Sequence, residues 1–288
     1  MNKGVFCLKI AFWSNAHEKC GVTANLAAIS VASVIRYPYT IITLENRLCH
    51  NNLGRAYLGT SCVNTIHEVG SNYYDGGGME GLLRRIYRGD FHTNIIPSYR
   101  REIIPGHLSY IPQSRIIHSE IFDYEFNHEI NTLLQLLEEY SDISFIDTAC
   151  RSNLSSKTIL EEADLIVVNL CQNSTLLEDF FLNYSSLISK AVFLIGNYSN
   201  HFVINSRRIS NTYDIPIENI TVIPFSDMYR NAFLNGSIVE FISSNYVCDK
   251  NNPNYLFIQS VKKAVYMIIN RAEQMINIKG KELSQCTR

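Results

Sequence analysis

The chain has 288 residues, 46% of them hydrophobic and 18% charged, with a formal net charge of −2. That is enough apolar material for the core of one large α/β domain or two small ones, and the near-neutral balance excludes the global basic field of a dedicated nucleic-acid binder. Eight scattered cysteines without a C-x-x-C pair suit a reducing compartment, and no apolar run reaches the about 18 residues that a membrane span needs.

In chain order, short runs rich in β-branched and aromatic residues predict buried strands at Phe6–Trp13, Thr40–Leu44, Leu108–Ile111, Ile143–Ile146, Leu165–Leu170, Ala191–Ile195 and Ile220–Ile223. Helical spacing lies between and after them, at Ala24–Ile35, Met79–Tyr87, Phe126–Tyr140, Leu154–Ala163, Thr175–Ile188, Phe202–Tyr213 and Tyr255–Ile276. Such alternation predicts an α/β fold: a mostly parallel, doubly wound sheet with helices on both faces and ligand sites at the carboxyl ends of the strands. The loops of interest then follow Trp13, Leu44 and Ile146. Residues 1–278 read as a single domain, with Gly76-Gly77-Gly78 as a surface loop and 279–288 as a polar, frayed tail. The last helix carries Lys262-Lys263 on one side; packing on the sheet and peripheral contact with a membrane both suit it. A strand at the N-terminus, in place of a leader, leads to the expectation of a cytoplasmic chain.

The first loop carries the most chemistry. A phosphate-binding loop G-x-x-x-x-G-K-[ST] cradles phosphates with backbone N–H groups, sets a Lys on the β and γ phosphates and a hydroxyl on Mg²⁺. Here the frame reads Ala16-His17-Glu18-Lys19-Cys20-Gly21-Val22-Thr23. Gly21 and Thr23 stand where the second glycine and the hydroxyl belong, Ala16 replaces the first glycine, and Val22 occupies the lysine position. After the strand ending at Ile146 comes Asp147, placed to hold the water shell of Mg²⁺; a helix-cap or turn Asp is the other reading.

These segments, with others in the same order, resemble the ParA/MinD-like P-loop ATPases that position cargo, septa and secretion machines. Ala16–Thr23 followed by Asn25-Leu26-Ala27 is similar to that family's K-G-G-x-G-K-T-T loop and first helix. Phe145-Ile146-Asp147-Thr148 and Ala163-Asp164-Leu165-Ile166-Val167-Val168 resemble its I-I-D-T-P and A-A-D-x-V-I-V strands. Val192–Asn197 resembles the strand ending in the Asn near the adenine, and Val222-Ile223-Pro224 with Arg230–Gly236 resembles the I-P segment and following helix. Leu108-Ser109-Tyr110-Ile111-Pro112 resembles a strand of the CpaE/TadZ-like branch, associated with tight-adherence pili, in which the loop is often altered.

The resemblance implies a P-loop three-layer sandwich, ATP or ADP with Mg²⁺ on Thr23 and Asp147, base contacts from Asn197 and Pro224, and a homodimer. Asp147 and Glu45, the latter at the place of an acidic residue that prepares the attacking water, are the implied catalytic residues; a polar strand end is the other reading of Glu45. His17 stands where a signature Lys reaches the partner's phosphates, Glu18 brings a carboxylate toward a triphosphate, and Lys19 can restore part of the charge; solvated loop residues explain Glu18 and Lys19 equally. Loss of the Lys at Val22 weakens phosphate binding by roughly 10–100-fold and turnover more. The function expected is that of a positioning or scaffold component of a pilus or secretion apparatus, recruited to the inner membrane face or a pole and bound to that apparatus's proteins. The alternatives are an atypical ATPase and a partition-type DNA-binding module. DNA is the weaker reading, because Arg84-Arg85 with Arg88, Arg100-Arg101 and Arg207-Arg208 suit the wet faces of helices. The eight histidines show no zinc spacing.

Overall fold

The computed structural model describes residues 7–16, 20–47, 52–59, 77–89, 95–113, 119–150 and 154–286. Eight strands are present among them: β1 (Leu8–Trp13), β2 (Ile41–Glu45), β3 (Arg101–Ile104), β4 (Leu108–Tyr110), β5 (Ile143–Asp147), β6 (Leu165–Leu170), β7 (Ala191–Tyr198) and β8 (Ile220–Pro224). They form one sheet in the order β3-β4-β2-β5-β1-β6-β7-β8, parallel throughout except that β3 runs antiparallel to β4. The chain leaves β1 for β2, moves outward to β4, returns through β5 to β1's flank, and then continues to β6 on the other side. Such reversals leave a crevice at the carboxyl ends of the central strands.

The helices are α1 (Val22–Arg36), α2 (Leu53–Leu58), α3 (Met79–Tyr87), α4 (Ile96–Tyr99), α5 (Ser119–Tyr140), α6 (Leu154–Glu162), α7 (Ser174–Asn183), α8 (Ser206–Tyr213), α9 (Asp227–Asn235), α10 (Ile238–Asn245) and α11 (Tyr255–Cys286). Alternation along each strand feeds two cores, one on each sheet face. Leu8, Ile10 and Phe12 pack with α1, α2, α10 and α11, while Ala11 and Trp13 pack with α3, α5, α6 and α7. Both cores are aromatic-rich; Phe12 meets Phe145 edge-on at 5.3 Å and Trp13 meets Tyr184 at 4.9 Å.

Several sequence expectations need correction. The segment 175–188 is two elements: α7 ends at Asn183, and a 3-10 turn spans Ser185–Lys190. The helix expected at 202–213 begins only at Ser206, because Asn205 accepts the Arg208 N–H and caps it there. The helix expected from Phe126 begins at Ser119. The short elements α2, α4 and β3 carry too little periodicity to be read. The expected tail is also helical, since α11 continues to Cys286. Its Phe257, Ile258, Val261, Ala264, Val265, Ile268 and Ile269 are buried in the first core, so this face is spent on the protein itself. Among the described residues no helix is long and apolar enough to cross a membrane. Gly76 lies outside the described residues, and Gly78 precedes α3 with φ 75°.

The first loop is clamped where β7 passes it. A Cβ at Gly196 would stand 2.1 Å from the Cys20 carbonyl oxygen and 2.8 Å from Asn25 Nδ2. Asn25 in turn donates to Asn169 Oδ1 at 2.8 Å and to the Cys20 carbonyl at 3.3 Å, tying the loop to β6. Backbone cannot retreat cheaply from such a contact. Gly196→Ala is therefore expected to lower stability by about 1–3 kcal/mol, read as a lower urea midpoint with an unchanged slope; an unaltered midpoint would show that the loop is not held there.

Candidate functional site

The site is built on the carboxyl ends of β1, β2 and β5. After Trp13 the chain turns, with the Ala16 N–H given to Ser14 Oγ at 3.1 Å and Asn15 Nδ2 given to Asp179 Oδ2 and the Leu176 carbonyl, both at 2.8 Å. Gly21, at φ 67°, then reverses the backbone into α1 and serves as its N-cap without a side-chain bond. The left-handed backbone at this turn favours a glycine. The first-turn N–H groups of α1 have no partner within the helix and carry its positive pole, the ordinary recipe for an anion site.

Thr23, on that first turn, is drawn toward β5. Its Oγ1 donates to Asp147 Oδ2 at 2.5 Å. Arg47, just beyond β2, closes the triangle: its Nη2 donates to Thr23 Oγ1 at 2.7 Å and lies 3.5 Å from Asp147 Oδ2. Asn46 sets this geometry. Its N–H bonds the Asp147 carbonyl at 3.2 Å, its Oδ1 accepts the Ala149 N–H at 2.6 Å, and its Nδ2 reaches Ser156 Oγ at 2.9 Å. Gln113 Nε2 donates to the Arg47 carbonyl. Neither Arg47 nor Asn46 is singled out by the sequence. The available signal was a basic residue two positions past the end of a strand.

Glu45 and Asp147 are paired across β2 and β5, and both are fully buried. Burial, and then the charge of Asp147, pushes the Glu45 carboxyl up to about 8. Its Oε1 accepts the Leu53 N–H at 3.1 Å and its Oε2 the Tyr110 hydroxyl at 2.9 Å. Burial also raises Asp147 above its ordinary value, against the opposing pull of Arg47 and Thr23. Asp147 is the member of the pair that the guanidinium contacts, and its Oδ1 is buried without a hydrogen-bond partner among the described residues.

A cleft of about 240 Å³ opens above this triangle, lined by residues that include Ala16, Cys20, Gly21, Val22, Thr23, Arg47 and Asp147. Arg47 is the cation among its described lining residues, and Glu45 is not part of the lining. The Cys20 thiol, which interacts with Cys171 and is buried, is held well above the usual thiol range and stays protonated. A second cleft of about 270 Å³ includes Asn197, Pro224, Tyr229 and Arg230 and shares Gly21, Ala24 and Phe233 with the first. The structure thus brings together Ala16, Cys20, Gly21, Val22, Thr23 and Asp147 in one cleft, and Asn197 with Pro224 in the next. His17, Glu18 and Lys19 lie outside the described residues. Of the arginine pairs, Arg84 is paired with Glu125 at 3.4 Å and Arg100 with Glu102 at 2.8 Å.

Comparison with solved structures follows from this geometry. The chain superposes on a ParA family ATPase from Chlorobium tepidum TLS with a TM-score of 0.66 and 12% identity, over 89% of this chain and 97% of that one. The fold is that of the ParA/MinD P-loop ATPases. The septum site-determining protein MinD of Pyrococcus horikoshii OT3, complexed with Mg-ADP, gives a TM-score of 0.63 at 14% identity over 91% and 96% of the two chains. A plasmid partition protein of Borrelia burgdorferi B31, bound to AMPPNP, gives 0.56 at 13% identity over 92% and 99%. No protein-family model matches the sequence, and no curated relative does.

A magnesium ion in such a fold needs the Thr23 hydroxyl and the Asp147 carboxylate, directly or through water, with phosphate oxygens completing its shell. Both groups are present, but Arg47 already engages Thr23 Oγ1 and Asp147 Oδ2, and only Asp147 Oδ1 is left without a hydrogen-bond partner among the described residues. An added divalent ion would share them with a guanidinium, cation against cation, so with Arg47 in place the pair does not fit the metal.

The buried acids set a pH dependence. Unfolded, Glu45 ionises near its ordinary 4.5, and folded it stays protonated to about 8. Between those values the unfolded chain binds fewer protons, so stability falls as pH rises across the window. Asp147 shifts in the same direction, hence Glu45→Gln removes part of the slope. The urea midpoint should fall between about pH 5 and about pH 8.5 in the native protein and fall less in Glu45→Gln; parallel curves would show Glu45 to be ionised in the fold.

Proposed function

We propose that this chain is a nucleotide-binding protein of ParA/MinD type that works by binding ATP or ADP rather than by rapid turnover. The observation that carries the reading is the continuity of the two clefts through Gly21, Ala24 and Phe233. The first offers the α1 N-terminus to a phosphate chain, and the second offers Asn197 and Pro224 to a nucleoside. Weak turnover is supported by Val22 in the lysine position and by Glu45, whose oxygens are engaged by Leu53 and Tyr110 instead of facing the cleft. The assignment of Thr23 and Asp147 to the phosphate end rests on their place beneath that cleft.

In the same reading the protein is a positioning or scaffold component. It dimerises, with nucleotide as a structural ligand, and presents a surface to the proteins of a pilus or secretion apparatus of tight-adherence type. The altered loop on an intact fold supports this narrower role, and recruitment to a membrane face or pole would come through those partners, because the apolar face of α11 is already buried.

Titration calorimetry with ATP tests the site. Binding in the range of about 10 µM to about 1 mM is expected, given the loss of one charge-assisted phosphate contact. Val22→Lys should tighten it by roughly 10–100-fold. Absence of heat up to millimolar ATP in both proteins would overturn the reading, and brisk phosphate release by the native protein would overturn its non-catalytic part.

A further inference from the structure

We infer that Arg47 is a built-in replacement for the divalent cation, so that this site takes the phosphate chain of a nucleoside di- or triphosphate without a metal ion. The inference rests on the nucleotide-site reading above and deepens it. Three residues from distant parts of the chain, 24 and 100 positions from Arg47, converge on one point. The point is the hydroxyl and carboxylate pair on which a phosphate-loop protein seats its ion. There, Arg47 Nη2 donates to Thr23 Oγ1 and pairs with Asp147 Oδ2.

The substitution is chemically coherent. A divalent ion in this position neutralises phosphate charge and holds the hydroxyl and the strand-end carboxylate together. A guanidinium can do both, since it is charged at every working pH and here already bonds Thr23 and pairs with Asp147 at the wall of the cleft. Arg47 lines the cleft with about a quarter of its side chain exposed, against 1% for Asp147. Its backbone is fixed by Asn46 on the neighbouring residue and by Gln113 on its own carbonyl.

The decisive experiment measures ATP and ADP binding by calorimetry on the whole protein in Mg²⁺ and in excess EDTA, for the native chain, Arg47→Ala and Arg47→Lys, with folding checked by circular dichroism. Native binding should be the same within about threefold in the two buffers, since no counted phosphate contact comes from the metal. Arg47→Ala should lose roughly 10–100-fold in EDTA and recover part of it in Mg²⁺, as the freed hydroxyl and carboxylate accept the ion. Arg47→Lys should fall between the two. Native binding that weakens tenfold or more in EDTA would overturn the inference while leaving the nucleotide site standing, and so would folded Arg47→Ala binding like the native chain in EDTA. If Arg47→Ala does not fold, the native comparison and Arg47→Lys decide. Failure of the native protein to bind in either buffer would instead overturn the nucleotide-site reading and this inference with it.

Discussion

Two carboxylates lie buried side by side at the ends of β2 and β5, and the guanidinium of Arg47 pairs with one of them, Asp147. Burying one unpaired charge is expensive, and burying two like charges in contact is prohibitive unless one is neutralised and the other paired. This chain does both. Glu45 is kept protonated by burial and by the neighbouring Asp147, against the opposing pull of its Tyr110 and Leu53 hydrogen bonds, and Asp147 is paired with Arg47 and Thr23. Much of the surrounding structure follows from that division. The amide of Asn46 spans three elements to present Arg47, the first turn of α1 is pulled against β5 through Thr23, and α2 begins where its Leu53 N–H can reach Glu45.

The same constraint shapes the chemistry above it. In a phosphate loop of the ordinary kind, positive charge comes from a lysine on the helix and from a metal ion on the hydroxyl. Here the helix position is Val22, and the charge in the cleft arrives from the opposite wall on Arg47. The backbone part of the device is kept: Gly21 at positive φ, an uncapped helix start, and a clamp of Gly196 and Asn25 behind the loop. A site of this construction can hold an anion by preorganised dipoles and one fixed cation.

Much of the fold was legible in the sequence because doubly buried strands leave continuous apolar runs, and all seven such runs are strands of the sheet. The edge strand β3 was not legible. Its sequence, Arg101-Glu102-Ile103-Ile104, carries charge on a half-exposed edge and lacks that signature. The break at Tyr184 was hidden because the apolar spacing continues across it into the 3-10 turn. At the site, the loop, Thr23 and Asp147 could be read because each sits at a fixed offset from a strand end. Arg47 could not. A basic residue after a strand is ordinary in sequence, and its meaning arises only when the sheet order sets β2 beside β5 and β5 beside β1.

Shared architecture does not by itself confer a shared activity, and at 12% and 14% identity the resemblance to the ParA and MinD structures is one of fold. The central claim is that a guanidinium holds the place of the metal. The most direct measurement is a crystal structure of the protein grown with ADP and Mn²⁺, with anomalous data collected at the manganese edge. The account predicts ADP in the cleft, Arg47 still bonded to Thr23 and Asp147, and no anomalous peak between those two residues. A manganese peak on the Thr23 hydroxyl and Asp147 carboxylate, with Arg47 displaced, would contradict it.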